Sequence, residues 1–178
     1  TAKGRQAFLV YPLVSSDDDT SWRAAETMYE QLGKTYFADQ RLGLIHGRMK
    51  SEDKQRVMQD FRDGRMDILF ATTVVEVGVD IPNATVMVVE GANRFGLAQL
   101  HQFRGRVGRG SEQSYCLLIP ETSDAAENER LQAMESTNDG FILAEKDLNQ
   151  RGPGEFLGTR QSGYTNLRLA NLTDVHLI

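Results

Sequence analysis

Short, mostly apolar runs alternate along this chain with segments whose apolar positions recur at helical spacing, and few folds accept that alternation. Phe8-Leu9-Val10-Tyr11 reads as a buried strand stopped by Pro12. Thr20 or Ser21 caps a helix with Ala25, Met28 and Leu32 on one side. Leu42 to His46 is the next strand. Ser51 then caps a helix whose first turn holds Glu52 and Asp53 and whose stripe is Val57, Met58 and Phe61, ended by Gly64. Asp67 to Ala71 and Thr85 to Glu90 are continuous apolar strands, as a parallel sheet covered on both faces requires. Leu97 to Val107 is helical by pattern, and Ser114 to Ile119 closes the sheet. The expectation is an α/β fold with crossover helices over roughly residues 1–120. Residues 121–178 form an extension: a helical hairpin over 123–150, broken near Thr137-Asn138-Asp139-Gly140, then a loop from Arg151 to Gly163 with four glycines and a proline. Leu167, Leu169, Ala170 and Leu172 can dock a short terminal element.

Composition sets outer bounds. A chain of 178 residues with 40% hydrophobic and 25% charged residues can bury a core, which excludes a largely disordered chain. Its single cysteine, Cys116, lies in an apolar run and reads as a buried strand residue; one cysteine permits no internal disulfide and suits a reducing cytoplasm. No stretch has the length of a membrane span, and Thr1-Ala2-Lys3-Gly4 is no signal peptide. The missing initiator Met is expected of a piece cut from a longer protein. A net charge of -5 argues against a free-standing nucleic-acid binder but not against one lobe of a larger motor.

Charge is uneven, however. From Gly91 to Ser111 there is no acid, and Gln102-Phe103-Arg104-Gly105-Arg106-Val107-Gly108-Arg109 holds three arginines. Arg106 and Arg109, three apart, share a face if a helix continues here, and paired guanidinium forks suit phosphoryl oxygens. The spacing alone also fits a solvated basic helix end. Arg104 has no evident role and reads as surface.

Two strand ends carry further candidates. After Ala71 comes Thr72-Thr73-Val74-Val75-Glu76-Val77-Gly78-Val79-Asp80-Ile81-Pro82. Ligands of open α/β sheets gather outside the carboxyl ends of strands, where Thr72 and Thr73 offer hydroxyls and amides to a phosphate. Gly78 permits close backbone approach and Asp80 can accept from a ribose hydroxyl. Taken alone, the segment reads first as an ordinary strand-to-helix turn capped by Asp80. His46 and Arg48 end the second strand. A histidine there is commonly structural, and Arg48 with Lys50 can meet a backbone phosphate. Gly33-Lys34-Thr35 imitates a phosphate-binding loop, but the motif needs glycine where Met28 stands. Val86 to Glu90 resembles a magnesium-holding strand, yet no Asp-Glu pair follows or occurs elsewhere. The chain therefore lacks the usual means of binding a nucleoside triphosphate by itself, and no metal ligand set is identified.

In combination these segments are specific. Thr72 to Pro82 closely resembles motif V of superfamily 2 helicases, Gln102 to Arg109 resembles motif VI, Leu9 to Val14 resembles the strand of motif IV, and His46-Gly47-Arg48-Met49 matches the next landmark. The resemblance implies the second RecA-like lobe of a two-lobed ATP-driven motor, in a P-loop NTPase-like fold; the phosphate loop and magnesium-binding acids belong to the first lobe. Asp139 to Leu148, Arg151-Gly152-Pro153-Gly154-Glu155 and Gln161-Ser162-Gly163 resemble the translocation motif shared by the RecG family and the transcription-repair coupling translocases. The Arg-Gly-Pro-Gly form and the ending Leu167 to Leu172 look more like RecG.

By resemblance, Arg106 and Arg109 would be arginine fingers for a γ-phosphate and Gln102 would touch the nucleotide. Gly78 and Asp80 would face the ribose. Thr72 and Thr73 would contact the DNA backbone, His46 and Arg48 lie in the adjoining landmark, and Arg130, Arg151 and Gln161 would couple cleft closure to DNA movement. ATP with Mg2+ held by the absent first lobe, branched DNA, that first lobe as partner, and a bacterial cytoplasm at the nucleoid are the implied setting. The alternatives are a coupling translocase and a non-catalytic nucleotide-binding or interaction domain.

Overall fold

The computed structural model describes residues 4–12, 18–72, 81–123 and 128–151. Five strands, β1 (Gln6–Val10), β2 (Leu42–Ile45), β3 (Ile68–Ala71), β4 (Ala84–Glu90) and β5 (Tyr115–Ile119), form one sheet in the order β2-β3-β1-β4-β5. Every pairing is parallel. The helices are α1 (Asp18–Thr35), α2 (Ser51–Arg62), α3 (Leu97–Arg104), α4 (Glu129–Ser136) and α5 (Gly140–Arg151), with a 3₁₀ turn at Ala92–Arg94. The α/β expectation holds, with each apolar run of the sequence becoming a strand.

Register shows which helix covers which face. Phe8, Leu69 and Met87 share a rung and lie on one side, where Phe61 of α2 meets Phe8 edge-to-face at 4.9 Å. The same core takes Leu97, Leu100 and Phe103 from α3, Leu131 and Met134 from α4, and Leu143 from α5. Leu9 and Phe70 point the other way, and there Tyr29 of α1 packs edge-on against Phe70 at 5.4 Å. This second face is less covered toward the edge strand: Tyr115, Leu117 and Ile119 of β5 are exposed, while Cys116 and Leu118 lean on the core. Cys116 is half-buried, and burial raises its thiol to about 11, which keeps it protonated and inert.

Element ends differ from expectation by a residue or two. Helix α1 begins at Asp18, so Thr20 and Ser21 lie inside it and do not cap it. Helix α2 has Lys50 at its cap with no side-chain bond, because the turn closed by Met49 N–H on His46 O delivers the chain to the helix one residue early. Its other end stops at Gly64 as expected. Gly64 adopts φ +72, which lets the Gly64 and Arg65 amides bond back to Phe61 and Asp60. One polar side chain is built into the core: Gln6 donates to the carbonyls of Phe61 (2.5 Å) and Met66 (2.8 Å) and accepts from Asn83 (3.2 Å), so it ties α2 and the start of β4 to the start of β1.

Phe61 is fully buried and its ring bridges α2 to the central strand. Phe61→Ala is expected to destabilise the fold by about 3–5 kcal/mol, read as a lower urea midpoint with an unchanged slope.

Candidate nucleotide and nucleic-acid edges

The arginine motif begins inside α3. Gly96 precedes the helix and donates its amide to Gln99 Oε1 at 3.3 Å; Leu97, Leu100 and Phe103 face the core, Phe103 meeting Phe95 edge-on at 5.3 Å. The helix ends at Arg104, with Gly105 as its cap, three residues short of the expected Val107. Arg106 and Arg109 therefore do not share a helical face. They lie in a tight turn in which the Arg106 amide bonds Phe103 O at 3.0 Å and Val107 plunges into the core. Gly108 then takes φ +79, a conformation open to glycine and strained for other residues, with Ser114 Oγ 2.6 Å from where a Cβ would sit. The buried Val107 and left-handed Gly108 reverse the chain. Arg106 is half-buried, whereas Arg109 and Gln102 are exposed, and Arg109 Nε donates to Gly105 O at 2.9 Å, laying its guanidinium across the turn.

Arg104 is not idle surface. Its Nη1 donates to the carbonyls of Met134 (3.0 Å) and Thr137 (2.8 Å) at the C-terminal end of α4, where a cation meets the negative end of the helix dipole. Its Nη2 lies 3.0 Å from His101 Nδ1. Gly140, the first residue of α5, approaches the other side of that imidazole so closely that a Cβ would stand 3.0 Å from Nε2. The hairpin is thus locked onto α3 at its bend, one helix end away from the arginine turn. Sequence reasoning missed this, because the partners of Arg104 are main-chain carbonyls that no residue type announces. The hairpin itself matches expectation, broken over Thr137–Asp139 and restarted where Asp139 Oδ1 accepts the Phe141 amide at 2.8 Å. Arg130 is half-buried near the start of α4, its amide capped by Asn128 Oδ1 at 2.9 Å.

The strand-end candidates lie at the opposite edge of the sheet. His46 is half-buried and Arg48 exposed at the end of β2, and Lys54 Nζ holds Gly47 O at 2.6 Å. Thr72, at the end of β3, is joined to them through its amide on Ile45 O at 3.2 Å. Thr72 is only 1% exposed and its hydroxyl is enclosed without a partner among the described residues. Thr72 thus sits at the base of this edge, with its amide bonded to Ile45 O and its Oγ1 covered. Tyr11, at the end of β1, stacks on Phe70 with centroids 6.3 Å apart. Burial, reinforced by Glu90, raises its hydroxyl to about 12, so it remains a proton donor at this edge. Thr73, Gly78, Asp80 and Gln161 lie outside the described residues, as do Leu13 and Val14 and the side chain of Arg151.

The acid-free sequence from Gly91 to Ser111 is not uniformly positive in space. Arg94 pairs with Glu121 at 3.3 Å, and Asn93 holds the same carboxylate. The basic character concentrates at the turn after α3. No group of three His, Cys, Asp or Glu side chains able to hold a metal comes together among the described residues, and no helix among them is long and apolar enough to cross a membrane.

A family profile described as the helicase conserved C-terminal domain matches residues 4–111, from the first strand through the arginine turn. The chain belongs to that family. A second profile, described as ATP-dependent DNA helicase RecG, domain 3, C-terminal, matches residues 137–177, which takes in α5. Among curated relatives, the ATP-dependent DNA helicases RecG of Thermotoga maritima and Synechocystis sp. are 51% and 49% identical over 96% and 97% of this helicase lobe. The lobe spans about a fifth of the length of these relatives, 22% and 21% respectively. A solved structure of RecG bound to a three-way DNA junction superposes with a TM-score of 0.71 at 51% identity, over 87% of the lobe and 20% of that chain. The C-terminal domain of the DEAD-box protein Dbp5 matches at a TM-score of 0.57 and 17% identity, over 82% and 83% of the two chains, and shows the RecA-like fold alone.

Arg104→Ala removes three contacts at the hairpin bend. It is expected to cost about 1.5–3 kcal/mol, in the range for hydrogen bonds from a charged group. Amide exchange in 129–148 should accelerate while that in the central strands β1 and β3 stays protected.

Proposed function

We propose that this lobe is the C-terminal motor half of an ATP-dependent DNA helicase that remodels branched DNA, such as stalled replication forks and Holliday junctions, in recombination and repair. The observation that carries the reading is the arginine turn joined through Arg104 to the hairpin: a guanidinium cluster suited to phosphoryl oxygens, fastened to a second element that extends toward the translocation motif. The match to RecG relatives along nearly the whole lobe supports the same reading.

In this reading the substrate ATP binds between two lobes of one polypeptide. The first lobe holds the triphosphate and Mg2+, for which this lobe has neither a phosphate loop nor an Asp-Glu pair. Water attacks the γ-phosphorus as the bond to the bridging oxygen breaks, giving ADP and phosphate. Arg106 and Arg109 donate to the oxygens on which charge accumulates, Gln102 contacts the nucleotide, and Gly78 and Asp80 adjoin the ribose. Thr72, Thr73, His46 and Arg48 meet the DNA backbone through phosphate contacts. Arg130, Arg151 and Gln161 couple closure of the cleft to movement of that strand. Such a protein works in the bacterial cytoplasm, at the nucleoid.

In the full-length protein, Arg109→Ala should lower DNA-stimulated ATP hydrolysis by about 10³-fold or more, as loss of a finger does, with ATP still bound in a filter or fluorescence assay. Hydrolysis close to wild type would refute the finger assignment. The isolated lobe should fold yet hydrolyse no ATP above background in a phosphate-release assay, and real turnover would show that it is not half a site.

A further inference from the structure

Gly110 stands one residue past the arginine motif, outside the segment that carries the resemblance. A Cβ on Gly110 would lie 2.9 Å from the carbonyl oxygen of Pro82, closer than real side chains approach a backbone atom. That oxygen cannot easily yield. The Ile81–Asn83 turn is closed by the Ala84 amide on Ile81 O at 3.0 Å, with Ile81 buried. Asn83 is tied on several sides: it donates to Gly4 O (2.9 Å) and Gln6 Oε1 (3.2 Å), accepts from Arg5 Nη1 (3.2 Å), and its carbonyl takes the Gln6 amide (3.1 Å). A second hold lies two residues beyond Gly110, where Glu112 pairs with Arg5 at 2.8 Å. The loop leaving Arg109 is thus pressed onto the entrance to β4 at one point and pinned to the entrance to β1 at another.

We propose that Gly110 is a positioning residue: the absence of its side chain lets the arginine loop seat on Pro82, and that seating sets where Arg109 and Arg106 stand. The proposal rests on the reading of these arginines as fingers. A methyl group at Gly110 must displace either the braced Pro82 turn or the loop, and the loop is the freer of the two. Arg109, one peptide away, moves with it. Groups that act only in the transition state lose rate and not substrate affinity when displaced by a fraction of an ångström.

The test uses the full-length protein, with wild type, Gly110→Ala, Glu112→Gln and Arg109→Ala assayed side by side for DNA-stimulated ATPase, melting temperature and binding to a three-way DNA junction. Gly110→Ala should lower kcat by about 10–100-fold with the KM for ATP within about threefold of wild type, and with melting and junction binding unchanged. Glu112→Gln adds no heavy atoms and loosens the same loop by removing the charge that holds Arg5. Its kcat should fall several-fold at low salt, and the difference should narrow at high salt, where the exposed pair is screened in the wild type as well. Wild-type turnover in both loop variants beside an inactive Arg109→Ala overturns the positioning role. A fall in kcat matched by lost melting or lost junction binding also overturns it, since that is general damage. Wild-type turnover in Arg109→Ala sinks the finger reading itself, and this proposal with it.

Discussion

Parallel pairing governs everything else in this lobe. Neighbouring parallel strands cannot be joined by a tight turn, so each connection must leave one edge of the sheet, cross a face and re-enter at the other. The crossings that become α1 and α2 lie on opposite faces, with Tyr29 against Phe70 on one side and Phe61 against Phe8 on the other. The same rule sorts the functional segments. Chain leaving a strand emerges at the carboxyl edge, where Tyr11, His46 and Thr72 stand. Chain returning through α3 arrives at the amino edge, where the arginine turn meets Pro82 and Arg5. Two chemically different edges arise from one topological constraint.

Polar groups inside the fold act as joints. Gln6 satisfies two carbonyls and the Asn83 amide, and so fastens the amino edge on which the arginine loop rests. Arg104 does the same for the hairpin. Its guanidinium is fixed by two carbonyls at the end of α4, and Gly140 leaves room for the His101 ring beside it. Such contacts are short, directional and costly to leave unmet when shielded from water, so they hold orientation as well as proximity.

The parts legible in the sequence were those encoded by side-chain identity. Continuous apolar runs marked the five strands: β3 is buried at every position, as a strand covered on both faces requires, while β5 is apolar although Tyr115, Leu117 and Ile119 are exposed. Gly64 ended α2 because a positive φ was needed there. The early end of α3 was not legible: Arg106 and Arg109 fit helical spacing, and what breaks the helix is Val107 finding a place in the core while Gly108 turns left-handed, a tertiary preference overriding a local one. Arg104 was unreadable because its acceptors are backbone atoms brought close only by folding. Thr72 was placed correctly at a strand end, but its burial depends on neighbours that the sequence does not position. Gly110 looked like one more loop glycine until the approach of Pro82 was visible.

The separation of the two edges gives the lobe the geometry of a lever. At about 3.3 Å of rise per residue, the five residues of β1 hold the two margins roughly 16 Å apart along the strand. A packed sheet is stiff along its strands, so a tilt imposed at one margin reappears at the other as a sweep. The length of the strands thus fixes how far a small rotation at one margin reaches at the other.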